Sequence, residues 1–574
     1  MRLGEAAPPS LLGWWWRFAL AFWLLNTLLT FENRWPGFGV AYMPRLSFEL
    51  CLAVVALMGW VAWRGSLSHR CVTVAAAGFV ALVLVRYASV TAPAVLGRPV
   101  NVYWDGRHAS ELLRVAAQSV PLWQVTAAVL ALAIGLLLLM GVARWAIQAL
   151  GECLVWERPR PWMLTGVGAL TLSFAAYLPD QRDTRWFFSL PLAPTLLHQG
   201  QLLARVWLPE QSGLALGPGP TFEGDLSGLM SDRGPADVLL VFAESYGAIT
   251  FDNAQQARAL ATPRDALTQA IQTSGRFVVS ARVTAPTFGG SSWLSHAALL
   301  AGVDTTDPAD HDLLLASQRP TLVRHFARNG YRTVGWMPGL KRPWPEGVFY
   351  GFDRLADDAS VGYQGMDFGY WRIPDQAAMA LLQTQELDRT KQREPRFAVF
   401  ATTSTHAPFN PIAPFATDWA SLTRPDAYAQ ASAAQAGSAA LRQPLTQYLA
   451  SMRYQYAWIS DYLRHWAPRP MVVVIVGDHQ PPALVSGKGA SWDVPVHVIS
   501  DDPAWLQRLL GSRFVPGLTP PKEALGPMSA LTSVLLEAFD APGKHETLGV
   551  DHVVEHVRRA QDPNITPGRS VPGS

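Results

Sequence analysis

The first 180 residues hold five long apolar stretches. That many in succession constrains the fold more than any other feature of the chain. The most restrictive is Val120–Ala143, 24 consecutive residues without a charged side chain. As a helix rising ~1.5 Å per residue it spans ~36 Å, enough for a bilayer core of ~30 Å. Leu11–Phe31 is a second long run, interrupted by Arg17 and Asn26. Leu50–Trp63, Val72–Val85 and Met163–Leu178 are shorter and uncharged. One such run alone fits a buried helix of a soluble protein. Five predict an N-terminal all-α domain of five transmembrane helices over residues 1–180. Trp14–Trp16, Trp60, Trp63, Trp123 and Trp162 lie near the run ends, where interfacial aromatic anchors belong.

The composition agrees. Of 574 residues, 49% are apolar and only 16% charged, against about 25% charged in an average soluble domain. That balance excludes an intrinsically disordered chain. A net charge of +2 gives no global basic field, so nucleic acid is not an expected partner. Ionisable groups inside the spans are few (Arg17, Glu49 and Arg86), which argues against a transporter. Arginines flank loops on both sides, so the positive-inside count is nearly balanced. An odd number of spans still puts the termini on opposite sides, and we read the N-terminus as inside. The loop Arg86–Gln118 carries Arg98, Asn101, Tyr103, Trp104, Asp105 and Arg107. It suits an interfacial anchor, or a contact to a lipid head group or acceptor.

Residues 181–235 read as a linker, with an amphipathic helix over Leu192–Leu208 suited to a membrane surface. Residues 236–557 change to an α/β rhythm, with a surface insertion at 426–440, and residues 558–574 read as a disordered tail. Short Val/Ile/Leu-rich runs recur, each followed by a polar or glycine-rich stretch. Val238–Ala243 ends in Glu244-Ser245. Arg276–Val283 ends in Thr284–Ser292. Thr333–Trp336 ends in Met337–Arg342. Phe397–Ala401 ends in Thr402–His406. Met471–Val476 ends in Gly477-Asp478-His479. Such runs suit parallel strands buried on both faces, with Pro320–Asn329 and Pro444–Trp466 as covering helices. A mainly parallel sheet between helices follows, with the five polar stretches converging at the carboxyl edge.

Three of those residues make a mixed oxygen and nitrogen donor set. Glu244, Asp478 and His479 suit Zn²⁺ or Mn²⁺, with Mg²⁺ less comfortable beside an imidazole. Singly each has a plainer role, as a cap or a turn. The loop Pro286–Ser292 leads into a helix over Trp293–Leu300, whose N-terminus favours an anion. A serine there is either an N-cap or a nucleophile whose hydroxyl a metal activates. His406 and the pair Lys341-Arg342 are candidates for holding an anionic group; Arg342 equally suits a solvated surface charge.

Taken in order, Phe242-Ala243-Glu244-Ser245, Pro286–Ser292, Ser404–Phe409 and Val476-Gly477-Asp478-His479 resemble the alkaline phosphatase/sulfatase superfamily. Gly351-Phe352-Asp353 after Lys341-Arg342 adds to the likeness. Its nearest branch is the membrane-anchored one of lipoteichoic acid synthases and phosphoglycerol transferases. The soluble resemblance covers roughly residues 236–540. It implies an alkaline phosphatase-like catalytic domain with one divalent metal ion, most often Mn²⁺, held by Glu244, Asp478, His479 and the nucleophile. By motif the nucleophile is Ser292, with Ser291 the alternative. The phosphate-binding histidine maps to His406, and the substrate-binding arginine to Arg342 with a one-residue slip. The implied protein is a multi-pass enzyme of the bacterial cytoplasmic (inner) membrane with an extracytoplasmic, periplasmic catalytic domain. It would move phosphoglycerol or phosphoethanolamine from a membrane phospholipid donor, through a phospho-serine, to an envelope glycan or glycolipid acceptor. A phosphate or sulfate ester hydrolase and a non-catalytic membrane assembly protein are the rival readings. The chain departs from the family in lacking a Cys-x-Pro-x-Arg motif. Its three cysteines, Cys51, Cys71 and Cys153, all precede the soluble half. That disfavours an ordinary sulfatase and the disulfide-rich lipid A phosphoethanolamine transferases.

Overall fold

The computed structural model describes residues 11–540 apart from Pro36, 108–113, 115–120, 156–159, 178–187, 208–215, Arg342, Pro343, Pro345, 389, 391–393 and 430–442. The 426–440 insertion thus falls largely outside the described residues, and the 558–574 tail wholly so. Packing divides the chain into two compact units.

In the first unit each apolar run lies on a helix: α1 (Leu11–Thr30), α2 (Phe48–Arg64), α3 (His69–Val95), α4 (Leu122–Val155) and α5 (Arg160–Tyr177). Only α3 and α4 are long and apolar enough to cross a membrane among the described residues. The other three have 17 to 20 residues. Along α4 the side chains of Leu122, Leu137 and Leu138 are 80%, 73% and 66% exposed, which water does not favour. Arg17, Glu49 and Arg86 each have a partner within this unit. Arg17 pairs with Glu152 at 2.6 Å. Arg86 donates to the Phe31 carbonyl at 2.9 Å. Glu49 Oε1 accepts from the Leu192 and Ala193 amides at 3.1 and 3.0 Å. It thereby caps α6 (Ala193–Trp207), a helix at the expected amphipathic segment.

The second unit comprises residues from Glu210 onward together with Leu96–Arg98. At its centre is an eight-stranded sheet. In chain order its strands are β1 (Asp237–Ala243), β2 (Phe277–Thr284), β3 (Arg332–Trp336), β4 (Arg354–Ala356), β5 (Arg396–Ala401), β6 (Met471–Gly477), β7 (Asp493–Ser500) and β8 (Val515–Pro516). The spatial order is β4-β3-β5-β1-β6-β7-β2-β8. From β4 to β6 all neighbours are parallel; β6–β7, β7–β2 and β2–β8 are antiparallel. The sheet is therefore mixed, not mainly parallel as the apolar runs suggested. The reason is β7, which inserts antiparallel between β6 and β2. Because two antiparallel steps cancel, β2 still runs with the five parallel strands. All five apolar runs thus end on one edge.

Every residue of β1 is buried. Leu239 and Val241 pack into one apolar cluster, and Val238, Leu240 and Phe242 into another. Two-sided burial is what the uniform apolar run required. The helix α9 (Pro444–His465) and the short α8 (Leu322–Arg328) fall where the sequence placed covering helices. Gly351-Phe352-Asp353 serves structure instead. Asp353 Oδ2 accepts from the amide and hydroxyl of Thr333 at 2.7 and 2.9 Å, at the amino end of β3.

Candidate active site

Two strand ends and one helix start assemble the site. β1 and β6 are adjacent and parallel in register, pairing Gly477 with Ala243. Glu244 and Asp478 follow those residues directly, so the pairing alone sets their carboxylates side by side. The chain then turns at Ser245 (φ 55). Its amide, with that of His479, donates to Asp478 Oδ1 at 2.8 and 2.7 Å. The Ser245 hydroxyl donates to Glu244 Oε1 at 2.8 Å. The Glu244 amide is held by Thr402 Oγ1 at 2.9 Å, at the end of β5.

One donor atom each from Glu244, Asp478 and His479 lie within 4.8 Å of one another, and all three residues are buried. His479 Nδ1 is 2.8 Å from the Gln480 carbonyl. A carbonyl only accepts, so Nδ1 carries a proton and a neutral ring turns its Nε2 lone pair to the cluster. Burial and the Glu244 charge push the Asp478 carboxyl up to about 7. Two carboxylates this close in a dry site favour a cation between them. The donor set fits a divalent metal on both counts.

The fourth group is Ser292. It opens the helix α7 (Ser292–Ala301), and its Oγ lies 3.0 Å from Glu244 Oε2 and 3.2 Å from His479 Nε2. Ser291 is placed differently. It sits in the left-handed region (φ 64), makes no capping bond to the helix, and faces Arg98, whose Nη2 is 3.4 Å from its Oγ. The geometry thus brings Ser292, not Ser291, to Glu244 and His479.

His406 lies close enough for its proton affinity to feel His479 and Asp478. Its Nδ1 is 2.6 Å from the Ala407 carbonyl and its ring packs 4.4 Å from Trp371. Burial pulls its pKa down to about 4, so the ring is neutral near pH 7. Lys341 Nζ sits 4.2 Å over the Tyr370 ring. Arg342 lies outside the described residues. Sequence reasoning gave Ser245 and Thr402 no role, and placed Arg98 only in a loop suited to an interfacial anchor or a contact to a lipid head group or acceptor. The first two stood inside quoted motifs; the last is almost 200 residues from the nucleophile.

Residues 236–498 match the Sulfatase family model. The match is confined to that segment, which holds Glu244, Ser292, Asp478 and His479, and it points to enzymes acting on phosphate or sulfate esters. No curated protein matches the chain. Among solved structures, an alkaline phosphatase superfamily protein of Vibrio parahaemolyticus is 16% identical, with 53% of this chain and 66% of that one covered and a TM-score of 0.33. The lipoteichoic acid synthase LtaP of Listeria monocytogenes is 13% identical, covering 50% and 69%, at a TM-score of 0.32. The Streptococcus pyogenes phosphoglycerol transferase GacH, solved with sn-glycerol-1-phosphate, is 11% identical, covering 59% and 88%, at 0.34.

Proposed function

We propose that the chain is a membrane-bound, metal-dependent phosphotransferase that works through a phospho-serine on Ser292. The observation carrying this reading is the Ser292 hydroxyl held against Glu244 and His479 in the segment that matches the Sulfatase family model. Glu244, Asp478 and His479 would hold the metal, Mn²⁺ by the motif resemblance, together with Ser292. When bound, it lowers the hydroxyl pKa and offsets charge developing on the phosphoryl oxygens. Ser292 Oγ forms the bond to phosphorus, and the bond from phosphorus to the lipid oxygen breaks. The hydroxyl proton ends on the departing lipid oxygen, which leaves as an alcohol. An acceptor hydroxyl on an envelope glycan or glycolipid then forms the new bond to phosphorus, the bond from phosphorus to Ser292 Oγ breaks, and the acceptor's proton returns to Ser292. His406, neutral, offers its Nε2 to the hydroxyl side of donor or acceptor.

The rest of the reading concerns the anchor. Five helices coincide with five apolar runs, and the exposed leucines of α4 ask for lipid. A five-span anchor confines the catalytic domain to the membrane surface, outside the bacterial inner membrane. The absence of cysteine after Cys153 favours phosphate over sulfate esters, because no cysteine-derived formylglycine can form in that half.

The test uses the purified full chain with head-group-labelled phospholipid, Mn²⁺ and an envelope glycolipid fraction. Label on the glycolipid, lost in Ser292→Ala, is the expected result. Label released only as the free head group would make the enzyme a hydrolase. Undiminished turnover in Ser292→Ala would sink the serine mechanism.

A further inference from the structure

We propose that Arg98 is a substrate-anion ligand of this active site, its guanidinium receiving the non-bridging oxygens of the phosphoryl group that Ser292 attacks. The inference rests on the serine-centred function proposed above, but concerns a residue far outside the 236–498 family segment.

The placement comes from packing. Leu96–Arg98 follows α3 directly, yet these three residues group with the catalytic unit. They lie so close to the Thr287–Gly290 loop that no side chain fits between. A Cβ at Gly97 (φ 87) would overlap the Phe288 ring, and one at Gly289 (φ 66) would overlap the Leu96 carbonyl. Both glycines also adopt backbone angles that other residues disfavour. The contact thus fixes Arg98 against the loop that presents the nucleophile.

The chemistry follows from where the guanidinium arrives. Its Nη2 lies 3.4 Å from Ser291 Oγ, the residue before Ser292. It is half-buried. Ser291 gives up the usual N-cap bond, so its hydroxyl is turned to the arginine rather than the helix. An arginine fork matches two phosphoryl oxygens at once, which a lysine or a neutral histidine does not. A phosphodiester brings one negative charge to a site already holding the carboxylates of Glu244 and Asp478. A cation beside the nucleophile draws that ester in and supports the charge that grows as Ser292 attacks.

The test uses the full chain in detergent with Mn²⁺ and two probes. In the Ser292→Ala background, where no turnover occurs, inorganic phosphate should raise the unfolding temperature. Adding Arg98→Ala should weaken the apparent phosphate affinity about tenfold or more, and Arg98→Lys should restore part of it. With Ser292 intact, Arg98→Ala should lower kcat/KM for bis(p-nitrophenyl) phosphate by a similar factor. Phosphate affinity and kcat/KM within twofold of the parent would overturn the proposal, as would no phosphate binding in Ser292→Ala. If Arg98→Ala fails to fold, Arg98→Lys against Arg98→Gln decides, since one keeps the charge and both keep much of the length. Turnover persisting in Ser292→Ala would refute the serine mechanism while phosphate affinity still reported on Arg98.

Discussion

Ser292 Oγ lies 3.0 Å from Glu244 Oε2, joining a helix start to a strand end 48 residues earlier. No equivalent bond reaches Ser291, whose hydroxyl faces Arg98. Ser292→Ala should therefore remove at least about three orders of magnitude of phosphodiester turnover. Ser291→Ala should keep the chemistry and lose at most about tenfold. Intact-mass measurement after brief exposure to substrate should find a phosphoryl adduct in the parent and in Ser291→Ala, and none in Ser292→Ala. An adduct mapped to Ser291 would reverse the assignment.

A second expectation concerns metal. With two buried carboxylates beside one imidazole, a divalent ion should stabilise the folded chain as well as activate it. At a hundredfold excess over Kd the gain is about 2.7 kcal/mol. Chelation should abolish turnover and lower the unfolding temperature, and Mn²⁺ should restore both. Asp478→Asn should leave less than one metal per chain by elemental analysis. Full metal content in that variant would remove Asp478 from the ligand set.

Thr402 offers a subtler test, because it touches neither the nucleophile nor the proposed metal. Its Oγ1 accepts from the Glu244 amide at 2.9 Å. Thr402→Val keeps the shape and strands that buried amide, at a cost of about 1–3 kcal/mol. Loosening a ligand in this way typically weakens metal affinity about 10- to 100-fold. A metal titration should find the loss, and excess Mn²⁺ should rescue most of the activity. A variant with parental metal affinity would show that Glu244 is held well enough by its other contacts.

Much of this site could be read before any coordinates. Uniform apolar runs marked β1, β5 and β6, and the residue after each run fell on the functional edge. What sequence did not yield was pairing. Nothing local in Asp493–Ser500 says that it inserts antiparallel between β6 and β2, because strand order depends on contacts distant in the chain. The choice between Ser291 and Ser292 turned on one backbone angle, φ 64 at Ser291, which a Gly-Gly-Ser-Ser stretch does not disclose. Arg98 was visible only as one of several polar residues in a loop between apolar helices. The distance from Arg98 to Ser291 is a property of the packed molecule.

The last prediction follows from a buried histidine remote from the proposed chemistry. His497, on β7, has Nδ1 2.7 Å from Ser280 Oγ and Nε2 2.9 Å from the Tyr246 hydroxyl. Burial pulls its pKa from the ordinary 6.5 down to about 3. The unfolded chain therefore binds a proton that the folded one refuses between those values. His497 thus contributes stability that is complete above about pH 6.5 and is lost as pH falls toward 3, at about 1.4 kcal/mol per pH unit. Asp375 acts in the opposite direction. Burial raises its carboxyl from 3.8 to about 6, so rising pH over that window costs stability. Between pH 4 and 6 the two slopes partly cancel, and substitution separates them. In His497→Gln the catalytic domain should become less sensitive to acid, with a flatter unfolding temperature from pH 6.5 downward. In Asp375→Asn the same profile should steepen, because the opposing slope is gone. Identical acid sensitivity in His497→Gln and the parent would show that the ring is already protonated in the folded protein.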